Sequence, residues 1–205
     1  MPLDLAALGT FWLAFALALI SPGPNFALML RIGLAQGRGP ALRTVLGIAV
    51  GEAAWGIAAV LGVAALALRH PWLGTAVQLG GGAFLLWLGI GALRAAWRGD
   101  AAAADQPARG PGGGFGTGLA LMLLNAKAGF FWISLSGVLL GPAVAPATGC
   151  VAVAGAVLLS LLWHGLLALA FSGTRLVRLY RRAARGIEAT LGAALTAFGL
   201  RLLVP

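Results

Sequence analysis

Six apolar runs of similar length, separated by short connections rich in arginine, constrain this chain more than any other feature. They lie at about 5–30, 41–68, 72–93, 115–140, 148–172 and 187–204, each close to the ~20 residues that a bilayer requires of a helix. Hydrocarbon offers a peptide group no hydrogen-bond partner, so runs of this kind must satisfy their own backbone as helices. Of the 205 residues, 60% are hydrophobic and 9% are charged, with a mean hydropathy of +0.97. That balance excludes a water-soluble domain of this size. The class is therefore an all-α polytopic membrane protein with the lipid bilayer as its solvent. Its 32 glycines suit transmembrane helices that pack closely.

A net charge of +9 would suit nucleic acid, but the placement of the charges argues against such a partner. Arg31, Arg38 and Arg43 lie in the first connection, and Arg94, Arg98 and Arg109 in the third. The fifth holds Arg175, Arg178, Arg181, Arg182 and Arg185, whereas the second has only Arg69 and the fourth has none. This asymmetry puts the odd connections in the cytoplasm and both termini on the outer side. The segment Met1–Gly9 carries Asp4 and no basic residue, which makes a poor signal peptide, and the first run reads as a retained span. The stretch Arg175–Arg185 has Leu176, Leu179 and Tyr180 at helical spacing. It fits a helix lying on an anionic leaflet as well as it fits a basic anchor. Cys150 is the single cysteine, and His70 and His164 fall on different segments. No disulfide, metal site or cofactor is expected from them.

Residues 98–114 (RGDAAAADQPARGPGGG) are rich in Gly, Ala and Pro and read as a flexible cytoplasmic linker. They divide the chain into three-helix repeats at 1–97 and 115–205. An odd number of spans per half makes the two halves inverted relative to each other. Faint internal similarity accompanies this: Gly82-Ala83-Phe84-Leu85…Gly89 in the third span matches Gly192-Ala193-Ala194-Leu195…Gly199 in the sixth.

Ser21-Pro22-Gly23-Pro24-Asn25 interrupts the first span. Two prolines delete two backbone donors, and such a break survives in a membrane only inside protein or along a watered cavity. Discontinuous helices of this kind commonly form the substrate site of secondary transporters. Pro22 and Pro24 leave the carbonyls of Ala18 and Ile20 without helical donors, which suits an ammonium group. The amides of Gly23 and Asn25 open the next half-helix, whose positive end suits a carboxylate. A zwitterion such as an amino acid matches both.

Ionisable residues deep in a span are functional hypotheses by default. Glu52 lies in the second span, Lys127 beside Asn125 in the fourth, and His164 in the fifth. At ~1.5 Å per helical residue, Gly23, Glu52, Lys127 and His164 lie roughly 12, 16, 18 and 13 Å from the cytoplasmic ends of their spans. All four are near the midplane of a ~30 Å hydrocarbon core, which suggests a common site. Simpler readings stand beside this one. Glu52 and Lys127 could form a structural ion pair, and His164 could hydrogen-bond a neighbouring helix. Gly47 and Gly51 form a small-residue packing pair, which could also bring the Glu52 helix against the broken first span. Trp72 and Trp97 read as interfacial anchors. Ser136-Gly137 with His164 invites comparison with a serine protease. Their depths differ on the order of 20 Å, whereas a catalytic hydrogen bond spans about 3 Å.

Three motifs together resemble the LysE/RhtB family of bacterial amino-acid exporters. They are Ser21-Pro22-Gly23-Pro24-Asn25, Gly47-Ile48-Ala49-Val50-Gly51-Glu52 and Asn125-Ala126-Lys127. The resemblance covers the whole chain, including its length and the arginine-rich connection before the last span. It implies a non-enzymatic secondary transporter that exports amino acids or related metabolites across the bacterial inner membrane, driven by the proton gradient. The cradle for a small zwitterionic substrate would comprise Ser21, Pro22, Gly23, Pro24, Asn25, Asn125 and Lys127. Glu52 would couple protons, with His164 as a further candidate. A lone buried carboxylate suits that role, because leaving water disfavours the charged form. A passive channel is the alternative, although its expected ring of like residues is not evident. A homodimer is left open beside the monomer. One departure stands out: the family has Asn-Pro-Lys where this chain has Asn125-Ala126-Lys127, which implies a milder second break.

Overall fold

The computed structural model describes residues 3–21, 23–98, 112–136, 139, 146–170 and 174–203. Pro22, Gly137 and most of the 98–114 linker lie outside the described residues. Eight helices follow one another: α1 (Leu5–Ile20), α2 (Pro24–Gln36), α3 (Arg38–Arg69), α4 (Pro71–Arg98), α5 (Phe115–Leu124), α6 (Ala126–Ser136), α7 (Pro146–Ala170) and α8 (Thr174–Leu203). No strand occurs among the described residues. Four of these helices, α3, α4, α7 and α8, are each long and apolar enough to cross a membrane. The count becomes six if α1–α2 and α5–α6 each cross as one bent span.

Local chemistry sets the helix ends. Asp4 caps α1, its Oδ1 accepting from the Ala7 amide at 2.9 Å; such a cap contributes about 1 kcal/mol. Pro24 opens α2 at a position where its missing amide is not needed. Gly37, with φ +80°, turns α2 into α3, a conformation that glycine adopts without strain. The basic run Arg175–Arg185 does not form a separate surface helix, because α8 runs unbroken from Thr174 to Leu203.

Packing is closest where glycines face backbone. Gly47 and Gly51 lie on the face of α3 that meets α5. A Cβ on Gly47 would strike the Phe115 carbonyl, and one on Gly51 would stand 2.7 Å from Met122 Cβ. Their partner is thus the first half of the second bent span, and not the broken first span. Gly118 of α5 answers from the other side, against the backbone of Thr44 and Ile48. α4 and α8 make the most extensive helix contact of the molecule. There Gly82 opposes Gly199 and Gly89 opposes Gly192. Phe11, Phe15, Phe131 and Trp132 form the aromatic centre of one buried cluster, which also holds Leu135. Met29, Ile32, Ile48 and Met122 belong to a second. Around the outside, Leu13, Leu46, Ile57, Trp87, Leu158 and Leu162 are exposed, an apolar surface that suits lipid.

Candidate functional site

A cavity of about 630 Å³ opens where the two bent spans meet α3, α4, α7 and α8. Ser21, Gly23 and Asn25 line it from the first break, and Asn125 and Lys127 from the second. Glu52 of α3 and His164 of α7 also reach it. Every described polar residue proposed for the substrate or the proton therefore faces one space. Pro24 heads α2 beside the cavity, whereas Pro22 lies outside the described residues. Gly47 and Gly51 face α5 instead.

The first break lies between α1 and α2, whose axes differ by 49°. Ser21 ends α1 with an extended backbone, and the Gly23 carbonyl accepts from the Ala27 amide at 2.9 Å. Lys127 Nζ lies over this break: a Cβ on Gly23 would stand 3.9 Å from it. Asn25 Nδ2 donates to Met122 Sδ at 3.4 Å, which ties the first break to the last turn of α5, just before the second. Asn25 Oδ1 is buried and accepts no hydrogen bond.

The second break is the sharper one, at 63°. A pronounced bend therefore forms with Ala126 at the position where the family has proline. Asn125 supplies the reason. Its backbone is extended, with φ −79° and ψ 90°, and its Oδ1 accepts from the Ala128 amide at 3.3 Å to cap α6. The Met122 carbonyl accepts from the Asn125 amide at 3.3 Å and from the Trp55 indole at 3.1 Å. An asparagine cap and a tryptophan donor thus stabilise the break without proline, because they satisfy groups that hydrocarbon would leave unpaired. Gly129 leaves room for the Trp55 ring.

Glu52 is 4% exposed. Its Oε1 accepts from the Trp132 indole at 2.6 Å, and its Oε2 accepts from Ser160 Oγ at 3.5 Å. Gly56, one turn along α3, makes space for the Trp132 ring. No ion pair joins Glu52 to Lys127 among the described residues, so the structural ion pair does not form. His164, 2% exposed, has its Nδ1 3.1 Å from Ser160 Oγ and 3.0 Å from the Ser160 carbonyl oxygen. Ser136 Oγ donates to the Ile133 carbonyl at 2.7 Å, and His164 takes Ser160 as its serine neighbour.

Several residues at the site were not singled out in the sequence. Trp132 and Ser160 sit at helical positions with no local motif. The only signal for Ser160 is its place four residues before His164, which puts both on one face of α7. Glu188 of α8 is buried and lines the cavity, as does Arg94 of α4. Glu188 follows five arginines within fourteen residues, and that run draws the eye to a connection and away from a span.

The matches to known proteins agree with this arrangement. The model of the LysE type translocator family matches residues 16–205. A threonine efflux protein of Salmonella typhi is 33% identical over 190 residues, covering 91% of this chain and 92% of that relative. The threonine efflux protein of Escherichia coli (strain K12) is 31% identical over the same coverage. An uncharacterized membrane protein of that strain, YahN, is 30% identical over 92% of this chain and 85% of its own length. No solved structure matches. Two interrupted spans around one cavity, and a family match extending from residue 16 to the last residue, lead to one conclusion: the chain belongs to the LysE type translocator family.

Proposed function

We propose that this protein exports an amino acid or a closely related metabolite across the bacterial inner membrane in exchange for protons. The observation that carries the reading is the convergence of both helix breaks, Glu52 and Lys127 on one cavity of about 630 Å³. That volume is within the ~300–1,000 Å³ typical of small-molecule sites. Relatives named threonine efflux proteins support an amino-acid cargo. In this reading Lys127 and the start of α2 hold the substrate carboxylate. The unpartnered Asn25 Oδ1 and the carbonyls at the first break accept from its ammonium. Ser21, Pro22, Gly23, Pro24 and Asn125 complete the cradle. Glu52, whose hydrogen-bond donors are both neutral, exchanges the proton.

The six spans are read as two inverted repeats, with both termini in the periplasm. The α4–α8 contact supports the repeat. A two-fold axis that carries Gly82 onto Gly192 and Gly89 onto Gly199, the pairs matched in sequence, also exchanges the two observed contacts. Gly82–Gly199 becomes Gly192–Gly89. The spacing agrees: a Cβ on Gly82 would lie 3.0 Å from the Gly199 carbonyl oxygen and its counterpart on Gly192 2.8 Å from that of Gly89, while the exchanged pair gives 2.7 and 2.8 Å.

The test is uptake of a panel of labelled amino acids by inverted vesicles containing wild type or Glu52→Gln. The expected result is uptake of at least one amino acid by the wild type that collapses with the proton gradient, and its loss in Glu52→Gln. Wild-type uptake indifferent to the gradient would indicate a channel. Unchanged gradient-driven uptake in Glu52→Gln would remove Glu52 from the mechanism.

A further inference from the structure

We propose that Ser160 is the proton relay between Glu52 and His164, so that the proton enters and leaves through a three-member wire and not through Glu52 alone. This rests on the proton-coupled reading above and assigns a proton-carrying residue within it. Ser160 is 1% exposed. Its hydroxyl lies 3.5 Å from Glu52 Oε2 and 3.1 Å from His164 Nδ1. A hydroxyl both donates and accepts, so one group can serve either neighbour. The two outer members face the cavity, which gives each an exchange route to water or substrate.

The hydrogen-bond geometry supports two complete arrangements. With Glu52 ionised, the Ser160 hydroxyl donates to Oε2. His164 is then protonated on Nδ1, which donates to the Ser160 carbonyl oxygen at 3.0 Å. With Glu52 protonated, its O–H donates to Ser160 Oγ, the Ser160 hydroxyl donates to a bare Nδ1, and the imidazole carries its proton on Nε2. Transfer from the second arrangement to the first proceeds in balance. The Glu52 proton passes to Ser160 Oγ as the Ser160 proton passes to Nδ1, leaving a carboxylate and an imidazolium. The imidazolium then releases its Nε2 proton to the cavity. One proton has moved, and Ser160 is unchanged.

Other charged groups surround this wire. Lys127 of α6, Arg94 of α4 and Glu188 of α8 line the same cavity. Of the helices packed on α7, α1 carries no titratable residue, and α2 carries only Arg31. α3 contributes Glu52 itself, with Arg38 and Arg43 near its start and Arg69 at its end.

Two measurements test the relay. The first is proton flux, read with a trapped pH dye in inverted vesicles, on addition of whichever amino acid the wild type transports in the panel above. Ser160→Ala is expected to lose about tenfold or more of that flux. Ser160→Thr, which keeps the hydroxyl, is expected to recover most of it. Binding of the same labelled amino acid to purified Ser160→Ala, a check of folding, should stay within about threefold. Full flux in Ser160→Ala, or equal loss in the alanine and threonine variants, would overturn the relay. The second needs no variant. In ¹⁵N spectra of the wild type, His164 should change from the Nδ1–H to the Nε2–H tautomer as pH falls, before it becomes cationic. A single neutral tautomer at every pH would overturn the relay. If the wild type moves its substrate without protons, the transport reading fails and the relay with it. A proton-driven wild type whose flux ignores Ser160→Ala sinks the relay alone.

Discussion

Glu52 shows how a carboxylate can sit deep in an apolar bundle with no ion-pair partner among the described residues. Taking an ion out of water costs several kcal/mol even after relaxation, and here two neutral donors offset part of that cost. The Trp132 indole, at 2.6 Å, is the shorter contact. Trp132→Phe keeps an aromatic ring against Phe11 and Phe15 and removes the donor together with part of the ring volume. It is expected to lower the stability of purified protein by about 1–3 kcal/mol, read as a fall in the thermal unfolding midpoint in detergent. An unchanged midpoint would mean that Glu52 finds another partner. Glu52 itself was legible from sequence, because an acid in an apolar run is conspicuous. Trp132 and Ser160 were not, since tryptophan and serine are ordinary inside spans. Their significance depends on which helix faces α3, and one sequence does not reveal that.

The two breaks behave as elements with different chemistry. Ser21–Asn25 announces itself through prolines, and the structure bends there. The second break was legible as a position, since Asn125 and Lys127 mark it, but its strength was not. Proline was taken as the cause of bending, whereas an asparagine cap and the remote Trp55 indole suffice for the sharper turn. Ala126 is the first residue of α6, where a proline's missing amide costs nothing. The extended backbone of Asn125 is also what a following proline prefers. Ala126→Pro is therefore expected to leave gradient-driven uptake within about twofold of wild type and the unfolding midpoint unchanged or slightly raised. A large loss of uptake in the vesicle assay would show that the break must straighten during transport.

At the scale of the whole molecule, apolar run lengths and arginine placement made the helical membrane class readable. Which helices touch was not readable, because small-residue faces do not name their partners: Gly47 and Gly51 found α5, and Gly82 and Gly89 found α8. The three most extensive helix contacts, α4–α8, α3–α5 and α3–α7, all join residues before the 98–114 linker to residues after it. Cutting the chain within 99–111 is thus expected to be harmless only when both pieces are made together. Co-expressed pieces should co-purify and retain uptake, whereas either piece alone should be degraded or aggregate. An isolated piece that purifies as a stable folded species would contradict this. The entry to α5 carries the same consequence in miniature. The Gly113 amide donates to Gln36 Oε1 at 2.8 Å, and the Gly114 amide donates to Thr44 Oγ1 at 2.9 Å. The second portion of the chain thus begins its first helix already buttoned to the first, and assembly during synthesis has to wait for the later spans before the earlier ones meet their most extensive partners.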